Sequence, residues 1–146
     1  MTVDHDASLQ SGSHLTNNAT GAVTVVGNAT ADASTIDNHH TLTVFGTATL
    51  SNGTHLTNDG TVHVVGNATV QSSSQVSNSA TLTLDAAASL LTGASLDNSG
   101  TATIAGLATV NAASVTNETG AHLTAGSASL TGATVDNVGS LTVTNA

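Results

Sequence analysis

Several absences narrow the possibilities before any pattern is read. The 146-residue chain has no Lys and no Arg, against nine acidic residues. Binding nucleic acid through its phosphates needs clustered cations, as does a polybasic patch on an anionic membrane, so both are excluded. There is no Cys, which excludes disulfides and thiolate metal sites. Phe45 is the one aromatic residue, too little for a globular core built around large rings. No apolar run approaches the ~20 residues of a spanning helix, so membrane insertion is not expected. Pro is absent, so every backbone N–H can join a ladder. Met1-Thr2-Val3-Asp4-His5-Asp6 lacks the pattern of a signal peptide, and the chain reads as a mature stretch.

What is present is a repeat. Leu15-Thr16-Asn17 recurs as Ile36-Asp37-Asn38, Leu56-Thr57-Asn58, Val76-Ser77-Asn78, Leu96-Asp97-Asn98, Val115-Thr116-Asn117 and Val135-Asp136-Asn137. The aliphatic positions lie 21, 20, 20, 20, 19 and 20 residues apart. A fixed period near 20 marks a solenoid whose rungs bury a core only by stacking. Thr, Ser, Asn, Gly and Ala are abundant, but the strict period and aliphatic content argue against disorder. The expectation is one all-β domain over residues 1–146. It is a single-stranded parallel β-helix of about seven rungs with three short strands each.

The three strands are read from alternation of period two. The first is Ala-x-aliphatic, as in Ala48-Thr49-Leu50 and Ala88-Ser89-Leu90. The second is the Asn segment. The third is aliphatic-x-aliphatic: Val23-Thr24-Val25, Leu42-Thr43-Val44, Val62-His63-Val64, Leu82-Thr83-Leu84, Ala102-Thr103-Ile104, Ala121-His122-Leu123 and Leu141-Thr142-Val143. Gly27, Gly46, Gly66 and Gly106 follow the third segment and are expected at positive φ. Ser11-Gly12, Asn52-Gly53, Thr92-Gly93 and Thr131-Gly132 mark a second corner. Two extra residues near 18–21 should bulge outward.

Identical residues on rungs ~4.8 Å apart form columns. Asn17, Asn38, Asn58, Asn78, Asn98, Asn117 and Asn137 are therefore predicted to face inward as a ladder, each amide satisfying the next. The competing reading makes them αL turn formers. Either role is structural.

Runs such as Asn58-Asp59-Gly60-Thr61-Val62-His63-Val64-Val65-Gly66-Asn67-Ala68-Thr69-Val70 resemble the passenger repeats of bacterial autotransporter and filamentous-haemagglutinin-type adhesins. That resemblance implies a right-handed parallel β-helix, an extracellular or cell-surface setting, and adhesive or filamentous work. It supplies no catalytic residues.

No enzyme is expected. Asp37, Asp97 and Asp136 share an outward column, but Thr57, Ser77 and Thr116 separate them, so no adjacent carboxylate pair forms there. The calcium-binding Gly-Gly-x-Gly-x-Asp repeat is absent. His14 and His55 share a column two rungs apart, His63 and His122 are placed in another, and His39-His40 lie near Asn18 and Asp59. These read as surface His, and Asp4-His5-Asp6 cannot all face one metal ion. No cofactor or metal site is predicted. Asn18, Asn28, Asn52, Asn67 and Asn117 begin Asn-x-Ser/Thr triplets, which this composition yields by chance. An outward Thr-x-Thr row (Thr41/Thr43, Thr81/Thr83, Thr101/Thr103) resembles the ice-binding face of antifreeze proteins. In this reading His63 and Gly120/His122 interrupt it.

Met1-Thr2-Val3 begins in the column where Leu141-Thr142-Val143 ends, 140 residues from Val3 to Val143. Both segments are expected to be open strand edges of nearly complementary shape. Stacking head to tail would then extend the sheets from one copy to the next. The leading expectation is a self-assembling extracellular filament subunit whose partner is itself. An adhesin passenger segment and an ice-binding solenoid are the alternatives.

Overall fold

A computed structural model describes residues 1–145 as a stack of parallel rungs with no helix. The first rung is β1 (Thr2–Val3), β2 (Ala7–Leu9) and β3 (His14–Asn17). The second is β4 (Ala22–Val25), β5 (Ala29–Asp32) and β6 (Thr35–Asn38). The third is β7 (Thr41–Val44), β8 (Ala48–Ser51) and β9 (His55–Asn58), and the fourth β10 (Thr61–Val64), β11 (Ala68–Val70) and β12 (Gln75–Asn78). The fifth is β13 (Thr81–Leu84), β14 (Ala88–Leu91) and β15 (Ser95–Asn98). In the sixth, β16 (Thr101–Asn111) runs through a corner and covers two sides before β17 (Ser114–Asn117). The seventh repeats this with β18 (His122–Thr131) and β19 (Thr134–Asn137), and β20 (Ser140–Val143) starts an eighth.

Every strand pairs in parallel with its counterpart one rung away, giving a three-sided column. The Thr side holds β1, β4, β7, β10, β13, the first halves of β16 and β18, and β20. The Ala side holds β2, β5, β8, β11, β14 and the second halves of β16 and β18. The Asn side runs from β3 to β19. Alternation decides what goes inside: in β9 Leu56 and Asn58 are buried while His55 and Thr57 are exposed. Val, Leu, Ile and Ala from the three sides form one continuous core. Fully burying a Leu or Ile contributes roughly 1.5–3 kcal/mol, so stacking supplies what an isolated rung cannot.

The core is not filled evenly. The Ala side of the second rung, Ala29-Thr30-Ala31, escaped the sequence pattern, and Ala31 stands where the next rung has Leu50. Apolar side chains of the first five rungs line a partly open cavity of about 160 Å³ that reaches the first rung at Met1, Leu9 and Leu15.

Two expectations are corrected. In the seventh rung Leu123 pairs with Ala102 and Ala125 with Ile104, so the third segment is Leu123-Thr124-Ala125, not Ala121-His122-Leu123. Residues 118–121 lengthen this corner by two, as residues 18–21 do in the second rung. The corner into the Ala side is then shorter by one, which produces the register shift after Ile104. Consequently His122 aligns with Thr101, and it does not share a column with His63.

The second correction concerns glycine. Gly12, Gly53, Gly93 and Gly132 do have positive φ, as do Asn52, Ser72, Ser73 and Thr92 at the same corner. Gly27, Gly46, Gly66 and Gly106 are not among the positive-φ residues. They are required by rung spacing. A Cβ on Gly66 would lie 2.5 Å from the Gly46 carbonyl oxygen of the rung below.

Candidate functional site

The inward Asn ladder is formed. Each Nδ2 donates to Oδ1 of the next Asn: Asn17 to Asn38 at 2.7 Å, Asn38 to Asn58 at 2.7 Å, and Asn58 to Asn78 at 2.7 Å. The series continues from Asn78 to Asn98 at 2.8 Å, Asn98 to Asn117 at 2.8 Å and Asn117 to Asn137 at 2.7 Å. Each of these donors also reaches a backbone carbonyl at the start of the Thr side two rungs on in chain order, such as Thr81 O from Asn58 at 2.8 Å. Asn38, Asn58, Asn78, Asn98 and Asn117 are fully buried. Aligned amide dipoles in a low-dielectric core reinforce one another, whereas a single unmatched amide there is costly. The chain of bonds has a direction. Asn17 has no Asn below it to donate to its Oδ1. Among the described residues, the Asn137 amide donates only to its own corner, at Gly139 O.

A second inner polar column was not read from the sequence. Ser34, Thr54 and Ser74 are buried where the Asn side begins, and Ala94 and Ala113 continue their positions. Thr54 Oγ1 donates toward the carbonyls of Ser51 at 2.8 Å and Ala31 at 3.1 Å, and accepts the Ser34 amide at 3.3 Å. Ser74 Oγ accepts the Thr54 amide at 3.1 Å. Ser34 Oγ is buried without a partner among the described residues. Ser or Thr three places before the Asn-segment middle residue, at Ser13, Ser34, Thr54 and Ser74, was the available signal, with Ala94, Ala113 and Ala133 at the same place in later rungs.

On the surface, three His–Asp pairs each clip one rung to the next. His14 Nε2 meets Asp37 at 2.7 Å, His39 Nδ1 meets Asp59 at 2.8 Å, and His63 Nε2 meets Asp85 at 2.7 Å. The approach of His39 to Asp59 was expected. The other two are diagonals, one rung up and two residues along, since Asp37 is in register with Thr16. Long side chains span such diagonals. All three pairs are substantially exposed, so each contributes at most about 1 kcal/mol.

The remaining candidates stay apart. Asp37, Asp97 and Asp136 do share a column interrupted by Thr57, Ser77 and Thr116. His14 and His55 are two rungs apart with Thr35 between. Asp97 and Glu118 border a groove of about 180 Å³ with Thr57, Ser77, Ser79 and Ser99. No group of three His, Asp or Glu among the described residues is placed to hold a metal ion. The Asp6 carboxylate accepts the Asn28 amide at 2.7 Å, which ties it to the fold. Asn117 is wholly buried in the ladder, out of reach of any modifying enzyme.

The register brings the Thr side into order. Thr2, Thr24, Thr43, His63, Thr83, Thr103, Thr124 and Thr142 form one outward rank. Beside it run Ala22, Thr41, Thr61, Thr81, Thr101, His122 and Ser140. The interruption expected at Gly120/His122 falls in the outer rank alone, because Thr124 takes the inner place.

The proposed edge residues also fall in one column. Val3 pairs with Val25 in β4, and Val143 pairs with Ala125 in β18, at equivalent places on the Thr side. Met1, Thr2 and Val3 edge the lowest rung; Leu141, Thr142 and Val143 edge the highest. At the upper face Leu130 is 57% exposed and Leu141 42%, although their counterparts Leu50 and Leu42 in the third rung are buried. Compared with known proteins, the chain matches no family model, no curated protein and no solved structure.

Proposed function

We propose that this chain is a structural β-solenoid unit that stacks end to end on copies of itself to build an extracellular filament. The directional Asn ladder carries this reading. Its lower end offers an acceptor at Asn17 Oδ1, and its upper end offers a donor at Asn137 Nδ2. Placing the first rung of one copy over the seventh of another sets Asn17 over Asn137, Leu15 over Val135 and Leu9 over Leu130. The stacked copies would continue one ladder and one apolar core. Val3 of the incoming copy then competes with Val143 for the same place, so either β1 or β20 must move aside. The cell exterior is assigned on the sequence resemblance to adhesin passengers.

Charge sets the conditions. With nine acidic residues, no Lys or Arg and seven His, copies repel one another at neutral pH. Lowering the pH reduces the net negative charge, and salt screens it. Negative-stain electron microscopy at pH 7 and pH 5 tests the proposal. Uniform fibres, more abundant at pH 5 or in high salt, are expected. Monodisperse rods of about 34 Å, seven rungs at ~4.8 Å, under every condition would overturn stacking and favour a segment of an adhesin passenger.

A further inference from the structure

We infer that the Thr side is an ice-binding face. This goes beyond the stacking reading and does not depend on it. The observation is the two outward ranks, in which Thr41/Thr43, Thr81/Thr83 and Thr101/Thr103 stand on the third, fifth and sixth rungs, with Thr61/His63 on the fourth and no register shift within these strands. The strands of this side carry no carboxylate between Thr41 and Ile104. The nearest, Asp85, sits at the corner, where it draws His63 aside. Each Thr presents a methyl and a hydroxyl, held by a β-branched side chain with few rotamers on a backbone already paired above and below. Little freedom is left to lose on binding, so many weak contacts can add.

The chemistry of the face selects its occupant. An ionic lattice or a charged polymer would need opposite charge, and these ranks carry only His63 and His122. A sugar lattice would be met by stacking rings, and Phe45 is the single aromatic residue of the chain. Phe45 lies at the margin, 52% exposed, beside Val26 at 48%. A peptide strand would need an open edge, and the interior strands of this sheet have none. A surface that repeats along two directions, accepts both methyl and hydroxyl groups, and needs neither charge nor rings is an ordered water lattice.

Thermal hysteresis measured by nanolitre osmometry, with ice recrystallisation inhibition alongside, tests this on the intact chain. The wild type is expected to open a hysteresis gap above that of a matched albumin solution. Thr83→Tyr with Thr103→Tyr should close it. Thr69→Tyr, an equally half-buried Thr on the Ala side, should leave it open. Circular dichroism confirms that the variants keep their β signal. No gap and no inhibition in the wild type overturns the proposal, as does an equal loss in Thr69→Tyr.

Discussion

The two inner polar columns obey different rules. In the Asn ladder, side chain bonds side chain, so a residue of the same length with both a donor and an acceptor is needed at every rung. All seven positions are Asn. In the hydroxyl column the partners of Thr54 are backbone groups, at Ser51, Ala31 and Ser34. Thr54 and Ser74 bond backbone groups, Ser34 Oγ has no partner among the described residues, and the column passes into Ala94 and Ala113 without breaking the stack. A side-chain ladder therefore enforces identity along the rod, while a backbone-anchored column tolerates substitution.

Breaking the ladder at its centre should have the largest effect. Asn78→Leu leaves Asn58 Nδ2, Asn98 Oδ1 and the Thr101 carbonyl each short of a partner. At roughly 1–3 kcal/mol per buried group, a loss of several kcal/mol is expected in urea unfolding followed by circular dichroism. Asn137→Leu, at the exposed end, should cost far less; equal losses would refute a cooperative ladder. Next comes Gly66→Ala, which forces a methyl against Gly46 and disturbs the rung spacing that the amides span. Overpacking of this kind costs about 1–3 kcal/mol, and a neutral result would show that the rungs can spread.

Smaller effects belong to the hydroxyl column. Thr54→Ala removes one hydroxyl donor, shared between the Ser51 and Ala31 carbonyls, and one acceptor, and a loss of about 1–2 kcal/mol is expected from the same unfolding curves. Ser34→Ala deletes a buried hydroxyl that has no partner among the described residues. Its unfolding midpoint should stay level or rise slightly, since an unmatched buried polar group is itself unfavourable. A fall comparable to that of Thr54→Ala would mean that Ser34 Oγ finds a partner after all.

Much of the fold was legible because each rung repeats the same inside–outside choice. Leu56 and Asn58 alternate with His55 and Thr57, and the pattern returns every 20 residues. The seventh rung was misread for a reason intrinsic to strands. Moving a segment by one residue exchanges its faces, but moving it by two does not. Ala121, Leu123 and Ala125 are all buried, so Ala121-His122-Leu123 and Leu123-Thr124-Ala125 fit the same alternation. The two-residue corner insertion was recognised at 18–21 and passed unnoticed at 118–121. The cost fell on the candidate site, since the missed shift hid Thr124 from the Thr rank.

The chain alone determined the period, the strand segments and the identity of the ladder, because these depend only on which residues recur and at what spacing. The direction of the ladder, the diagonal His–Asp pairs and the place of Thr124 in the Thr rank were decided by the tertiary structure. Each depends on how many residues a corner absorbs and on where neighbouring rungs lie, and period-two alternation carries neither quantity.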